Sequence, residues 1–542
     1  MTQQKSKVFT FSLLTACLIS INGAVWAANV PAGTTLAEKQ ELVRNNGSEP
    51  ASLDPHKVES NVEFTLISDM FDGLVAVSQD GAIEPRLAAS WENKDNTVWT
   101  FHLRPGITWS DGSAITAQDV VWSWQRLVSP QTASPYASYP GNMHIANAVD
   151  IAQGKKDPAT LGVKALNDTT LEITLTQPTA AFLAMLAHPS LVPLDKVLIG
   201  RYGDKWTRPE HFVSSGPYEL SQWVVNERIV AVRNTHYWDN AHTVIDKVTY
   251  LPISSEAADV NRYKAGEIDI VLSVPVNQFA QLKKIMGNEL HVSPLLSTYY
   301  YQFNTTRAPF NDSRVRRALN MALDKDIIAQ KVMGQGQREA WVISQPEIGG
   351  VTLSAPEYAS WPRDKRIAEA KKLLAEAGFG PEHPLSLNLL YNTFETHQRI
   401  AIAASSMWKK NLGVEVTLQN QEWKTMLDTM HTGNFDVVRY AWIADYDDAS
   451  SFLNIFRTGD SENTTQYSNP AYDEAMSHAA KAGSVEERGK YYQQAEALLA
   501  EDVPAIPIYH YVRAHLVKPW VGGFAPDNRG YYYTKDMFIK KH

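Results

Sequence analysis

The stretch "VWTFHLRPGITWSDGSAITAQDVVWSWQRLV" (residues 98–128) holds a strand, two turns and a helix in immediate succession. Val98 to Leu103 alternates bulky apolar with polar side chains, the period of a half-buried strand. Pro105-Gly106 and Asp111-Gly112 are turn dipeptides. Thr116 then stands as an N-cap, with Asp119 three residues on in the place of a capping-box partner. The run from Ala117 to Val128 continues as a helix. A strand feeding a helix across short turns predicts α/β layers.

The same alternation recurs along the chain. "TLEITLT" (170–176) follows the turn "NDT" and reads as a strand. "YELSQWVVNERIVAVRN" (218–234) predicts a hairpin turning near Asn226, and "KVTYLPI" (247–253) another strand. "RIAEAKKLLAEAGFG" (366–380) is an amphipathic helix that stops at Gly378 or Gly380. "VEVTLQNQEW" leads as a strand into the helix "KTMLDTMHTG" (424–433). No repeat, low-complexity tract or long linker marks a domain boundary.

The first 27 residues read as an export signal: Lys5 and Lys7, an uncharged apolar run from Val8 to Ile21, and Val25-Trp26-Ala27 before the cut. Leu14-Thr15-Ala16-Cys17 also resembles a lipoprotein site. Cutting there would leave an apolar tether where a polar one is usual, so cleavage after Ala27 is the expectation. Cys17 is the only cysteine, and removing the signal removes it. That excludes zinc–thiolate, iron–sulfur and cysteine-nucleophile chemistry. A chain this long buries enough core without disulfides. The signal carries two lysines and no acids, which leaves 48 basic against 59 acidic side chains. Such acidity argues against nucleic acid or an anionic membrane as the main partner.

H-E-x-x-H, G-x-S-x-G, Walker and G-x-G-x-x-G patterns are missing. Ser406-Met407-Trp408-Lys409 fits S-x-x-K of penicillin-recognising enzymes. Its companion K-T-G is absent, since Met426 follows Lys424-Thr425. The plainer reading is a helix "IAIAASSMWKKN" that shows Ser406 and Lys409 on neighbouring turns. The 15 histidines are scattered without metal-ligand spacing.

"YAWIADYDDASSF" (440–452) sets Asp445, Asp447 and Asp448 among aromatic rings. It fails as a calcium loop, because Ser450 and Phe456 fall where glycine and the bidentate acid belong. Ion pairing remains. Beside Trp442 and Tyr446 a carboxylate sits in partly dry surroundings, where a bond to an ammonium strengthens and an unpaired charge is costly. Two readings stay open from these residues: a carboxylate for a cationic ligand, or a structural pair with a nearby Lys or Arg while Asp447 and Asp448 are solvated.

Longer segments carry a resemblance. "SLDPH" (52–56), residues 99–126, "NTHYWDNA" (234–241) and "RYKAGEID" (262–269) resemble the periplasmic peptide-binding proteins of ABC transporters, the family 5 extracellular solute-binding proteins. "STYYYQFNTTRAPFNDSRVRRALNMALDKD" (297–326), "LLYNTFETHQRIAIAASSMWKKNLGVEV" (389–416) and "LVKPWVGG" (516–523) are similar to the oligopeptide-binding and murein-peptide-binding members. The resemblance runs from Ala28 to His542. It implies an α/β, two-lobed periplasmic solute-binding fold with an additional third domain. Lobe I would combine 28–71, 196–296 and 513–542, domain II 72–195, and lobe III 297–512.

It also implies a site. "ADYDD" is similar to the family's "ADYNE", whose Asp pairs with a peptide's α-ammonium, here Asp445. Arg439 and His397 match positions that meet the carboxylate end. Glu59, Asn61 and Tyr136 stand around the cleft, Trp423, Trp442 and Tyr511 line it, and Ala441 lies where peptide backbone pairs strand-like. "WSDG" and "VKPWVGG" are expected to hold the fold. Met333 and Met430 replace basic residues common in oligopeptide binders, and Ser297 and Ile443 replace a cysteine pair. The expected function is a non-enzymatic, monomeric periplasmic receptor without cofactor or metal. It would deliver short peptides to an inner-membrane ABC permease. A murein tripeptide is the alternative ligand, and a serine enzyme using Ser406 and Lys409 the alternative class.

Overall fold

The structure is a computed structural model that describes residues 30–78 and 81–542. The export segment, its cut after Ala27 and Cys17 lie outside the described residues.

The opening stretch folds as its pattern predicts. Strand Val98–Leu103 pairs on one side with Ala88–Lys94 and on the other with Thr170–Thr174, and Val163–Asn167 completes a four-stranded antiparallel sheet. Gly106 and Gly112 take the left-handed backbone that their turns require. Helix Ala117–Val128 starts after Thr116, whose backbone N–H donates to the Asp119 carboxylate at 2.8 Å. Trp124 is fully buried, and its indole N–H donates to the Leu191 carbonyl at 2.8 Å. From the same helix Arg126 reaches Asp54 with two nitrogens, at 2.5 and 3.0 Å. Burial and the Arg126 charge push His56 beside them down to about 3, so it stays neutral. "SLDPH" is therefore part of the scaffold.

A second sheet of eleven strands runs through the molecule. Its strands are β1 (Glu41–Asn45), β2 (Tyr218–Val224), β3 (Arg228–Arg233), β4 (Lys247–Leu251), β5 (Ile270–Val271), β6 (Leu290–Phe303), β7 (Arg338–Glu339), β8 (Ser386–Asn392), β9 (Glu415–Gln421), β10 (Val437–Ile443) and β11 (Ala505–Val517). In space the order is β9-β8-β10-β6-β11-β5-β1-β4-β3-β2, with β7 added beside β11. The predicted hairpin is β2–β3, and Asn226 takes positive φ at its turn. Helix Arg363–Glu376 ends just before Gly378, which is also left-handed.

The long antiparallel pair β6–β11 joins the two halves of this sheet. Leu290–Pro294 pair with Val512–Leu516, and Thr298–Gln302 with Ala505–His510, across a register shift. Strand β10 pairs with β6 along its whole length but with β8 only at Val437 and Val438. Arg439 to Ile443 therefore have one edge outside the ladder.

The C-terminal "VKPWVGG" explains itself sterically. Val521–Gly522 pairs with Phe538–Ile539, and a side chain on Gly522 would strike the Phe538 ring. Gly523 has φ +77°, and a Cβ there would collide with the Asp536 carbonyl oxygen. Gly523→Ala should lower stability by about 1–3 kcal/mol, the scale of overpacking. Thermal or urea unfolding reads it, and an unchanged midpoint would refute this account.

Candidate functional site

All ten sequence-predicted residues line one cavity of about 240 Å³: Glu59, Asn61, Tyr136, His397, Trp423, Arg439, Ala441, Trp442, Asp445 and Tyr511. They come from six separate stretches of chain. Strand β10 and the turn after it form the spine. The segment leading into helix Asn61–Met70 faces it, and β11 contributes a wall.

Asp445 follows the end of β10 and is pinned by its backbone. Its N–H donates to Ser451 Oγ at 2.7 Å, and its carbonyl accepts from Arg529 Nη1 at 3.1 Å. The Tyr136 hydroxyl donates to Oδ1 at 3.2 Å, and His188 Nε2 stands 3.3 Å from the same oxygen. The Ser190 N–H donates to His188 Nδ1, which places the imidazole proton on Nε2 toward Asp445. No lysine or arginine side chain among the described residues lies within 4.0 Å of this carboxylate. The structural ion pair expected under the plainer reading does not form.

Of the neighbouring acids, Asp447 is exposed as that reading expects and Asp448 is not. Asp448 is not solvated. It is buried against Arg488 at 3.3 Å and accepts from the Tyr492 hydroxyl at 2.6 Å. Asp447 accepts the Gly349 N–H at 3.0 Å. The three aspartates thus divide. One faces the cavity, and two tie the following loop to the fold.

At the other end Arg439 is buried over the Tyr299 ring, 4.7 Å from its centre. It donates to Asn392 Oδ1 at 3.1 Å and to the Tyr511 hydroxyl at 2.7 Å, while Nε has no protein partner. Asp436, three positions before it, turns instead to Arg307 at 3.6 Å and Asn388 at 3.1 Å. Burial works against the charge of Arg439, but the surrounding oxygens of Tyr511, Tyr299 and Tyr509 outweigh it and raise its pKa. His397 behaves oppositely. Burial, then the Arg439 charge, hold it well below its usual range. It offers a neutral imidazole rather than a second cation.

The rings form the walls. Trp423 stacks on Tyr440 at 6.2 Å, and Trp442 on Tyr136 at 6.5 Å. Both indole N–H groups are buried without a protein partner. A buried donor left unpaired is costly, which fits walls that meet a polar ligand. Glu59 is held by His431 Nε2 at 2.8 Å, and that bond raises the His431 pKa.

Several lining residues were not singled out from sequence: Glu256, Asn392 and Arg513 in the wall, with His188 and His431 just behind it. Nothing local marks them, because their surroundings come from residues far along the chain. Glu256 accepts from the Thr396 hydroxyl at 2.6 Å, and burial raises its carboxyl to about 7. Met333 lines the cavity, whereas Met430 packs in the core beside it. Ser297 and Ile443 are direct cross-strand partners, as a cysteine pair would have to be. Ser406 and Lys409 both lie exposed on helix Glu395–Leu412, away from the cavity. Among the described residues no cluster of His, Cys, Asp or Glu suits a metal ion.

Residues 82–464 match the family described as bacterial extracellular solute-binding proteins, family 5 Middle. The chain is 52% identical over 540 residues to the periplasmic oligopeptide-binding protein OppA of Salmonella typhimurium, covering 99% of both. It is 46% identical over 528 residues to the periplasmic murein peptide-binding protein MppA of Escherichia coli, covering 97% of this chain and 98% of that one. Among solved structures, Haemophilus influenzae OppA in complex with RPPGFSPFR is 43% identical and superposes with a TM-score of 0.92, covering 93% of this chain and 100% of that one. The murein tripeptide binding protein MppA of Escherichia coli is 45% identical, with a TM-score of 0.93 over 94% of this chain and 100% of that one. The unliganded open form of MppA, at the same identity and covering 94% and 99%, gives only 0.65. The α/β fold is that of these two-lobed binding proteins with their additional domain. The chain belongs to the bacterial extracellular solute-binding proteins, family 5.

Proposed function

We propose that this protein captures short peptides in the periplasm, as a monomer, and passes them to an inner-membrane ABC permease. The observation that carries the reading is the pair of unmatched charges on β10 and the turn that follows it. Among the described residues Asp445 has no lysine or arginine partner, Arg439 has no carboxylate, and the strand edge between them is unpaired. Six residue steps of strand span about 20 Å, less the inward reach of the side chains, which suits a peptide of a few residues. Its ammonium would meet Asp445, its carboxylate Arg439, and its backbone the edge at Ala441, adding a strand. The names of the relatives, oligopeptide- and murein peptide-binding proteins of the periplasm, support the same ligand class and compartment. Export after cleavage at Ala27 belongs to this reading. A murein tripeptide is the second candidate, because the cavity wall also presents a cation, Arg513, that no carboxylate neutralises.

Three units would do the work: lobe I (28–71, 196–296, 513–542), domain II (72–195) and lobe III (297–512). Bonds between them now hold the cavity shut. Glu59 meets His431, Glu256 meets Thr396, Tyr136 meets Asp445, and Ser138 and Ser461 exchange hydrogen bonds. Hinge opening about β6–β11 would break them, and the difference in TM-score between the two forms of MppA supports such a motion.

Three outcomes follow. Asp445→Ala should cost about 2–5 kcal/mol of affinity for a free-amine peptide. Calorimetry that finds no loss, with N-acetylated peptide bound equally well, would sink the assignment. Ligand should shrink the particle in solution scattering, and superimposable curves with and without saturating peptide would count against closure. Glu256 binds its proton more tightly when buried against Thr396 than when free. Its contribution to the closed state is therefore complete below pH 4.5 and is lost as pH rises through about 7. The melting temperature of wild type should fall across that window more steeply than that of Glu256→Gln; parallel profiles would refute this.

A further inference from the structure

Among the charges that line the cavity, one guanidinium has no acidic partner among the described residues and none in a simple zwitterionic peptide. Its lining acids are Glu59, which His431 engages, Glu256, which burial pushes toward its neutral form, and Asp445. Its lining guanidiniums are Arg439 and Arg513. Asp445 and Arg439 answer the two ends of a peptide. Arg513 is left over.

Arg513 lies on β11 and is partly buried, with no carboxylate within 4.0 Å and no side-chain hydrogen bond among the described residues. Its neighbours are Leu295, Gly530 and the phenols of Tyr511 and Tyr532. A cation in such surroundings is poorly solvated, and an anionic partner relieves that cost. Burial lowers its pKa while those phenols pull the other way, the sign of a charge without a true counter-ion.

Its place along the site follows from the sheet. Strands β10 and β11 both run antiparallel to β6 and so run the same way. Tyr511 touches Arg439, and Arg513 is two residues further on the same face. It is displaced by about 7 Å from the Arg439 contact toward the Asp445 end. Trp442 and His510 both pair with Thr298, so three residues further along these two strands Arg513 is about level with Asp445, at the end that would hold the ammonium and the ligand's first side chains.

We infer that Arg513 is a specificity residue for peptides bearing a second carboxylate, an acidic side chain or a branching carboxyl group, near their amino end. This rests on the peptide reading above. An acidic residue there would give Arg513 the bidentate partner that its fork geometry fits. Neutral peptides would leave it to water.

The test is calorimetry on the full exported chain with Ala-Ala-Ala and with matched pairs, Glu-Ala-Ala against Gln-Ala-Ala and Ala-Glu-Ala against Ala-Gln-Ala. Glutamine keeps the shape and removes the charge. In wild type one glutamate peptide should bind roughly ten- to hundredfold tighter than its glutamine partner, the scale of a charge-assisted bond. In Arg513→Gln that ratio should fall to near one, with Ala-Ala-Ala bound as before, and Arg513→Lys should keep part of it. A ratio near one at both positions in wild type overturns the inference, as does a ratio that survives in Arg513→Gln. A loss of Ala-Ala-Ala affinity in Arg513→Gln as large as the loss for the glutamate peptide overturns it too, since Arg513 would then serve the terminus. If Ala-Ala-Ala and every other peptide fail to bind wild type, the peptide reading itself falls and takes this one with it.

Discussion

Everything at the site hangs on one antiparallel pair, Leu290–Phe303 against Ala505–Val517. One half of this ribbon carries β5 and the strands beyond it, and the other carries β10, β8 and β9. The register shift between Pro294 and Thr298 loosens the ladder where the two halves meet. A bulged ribbon bends more readily than a regular one, while its flanking segments stay rigid. Tyr299, Tyr300 and Tyr301 are completely buried just beyond the shift, so that side of it is anchored in dense packing. The cavity lies beside this junction, lined from both halves.

Charge inside the cavity is arranged by what is withheld. Some buried ions of this protein are paired with an opposite charge: Arg126 has Asp54, Arg529 has Asp527, and Asp448 has Arg488. Asp445 and Arg439 are given hydroxyls, an imidazole and an amide instead. Such groups position a charge without cancelling it. The cost of keeping it half-satisfied is borne by the scaffold and recovered when a ligand of opposite sign arrives. The unpaired indole N–H groups of Trp423 and Trp442 follow the same rule for neutral donors.

Much of this was legible in the chain. Alternation marked Val98–Leu103 and the Tyr218–Arg233 hairpin, the turn glycines fell at positive φ, and Thr116 with Asp119 opened its helix. Long ordered segments of family resemblance supplied the site residues, and all ten line one cavity. Local sequence misjudged Asp448, because its partner Arg488 lies 40 positions away. It offered Ser406 and Lys409 as a constellation, although both are on a helix face turned to solvent.

By itself the sequence determined the element types and the family, since periodicity, turn chemistry and extended similarity are properties of neighbours along the chain. It also fixed which residues carry charge. Only the tertiary structure decided which charges are cancelled. His188, His431, Glu256 and Arg513 acquire their meaning from residues that the chain brings back from far away. Whether a carboxylate or guanidinium is a strut or a binding group depends on distance and burial, and both are set when the sheet closes around β6 and β11.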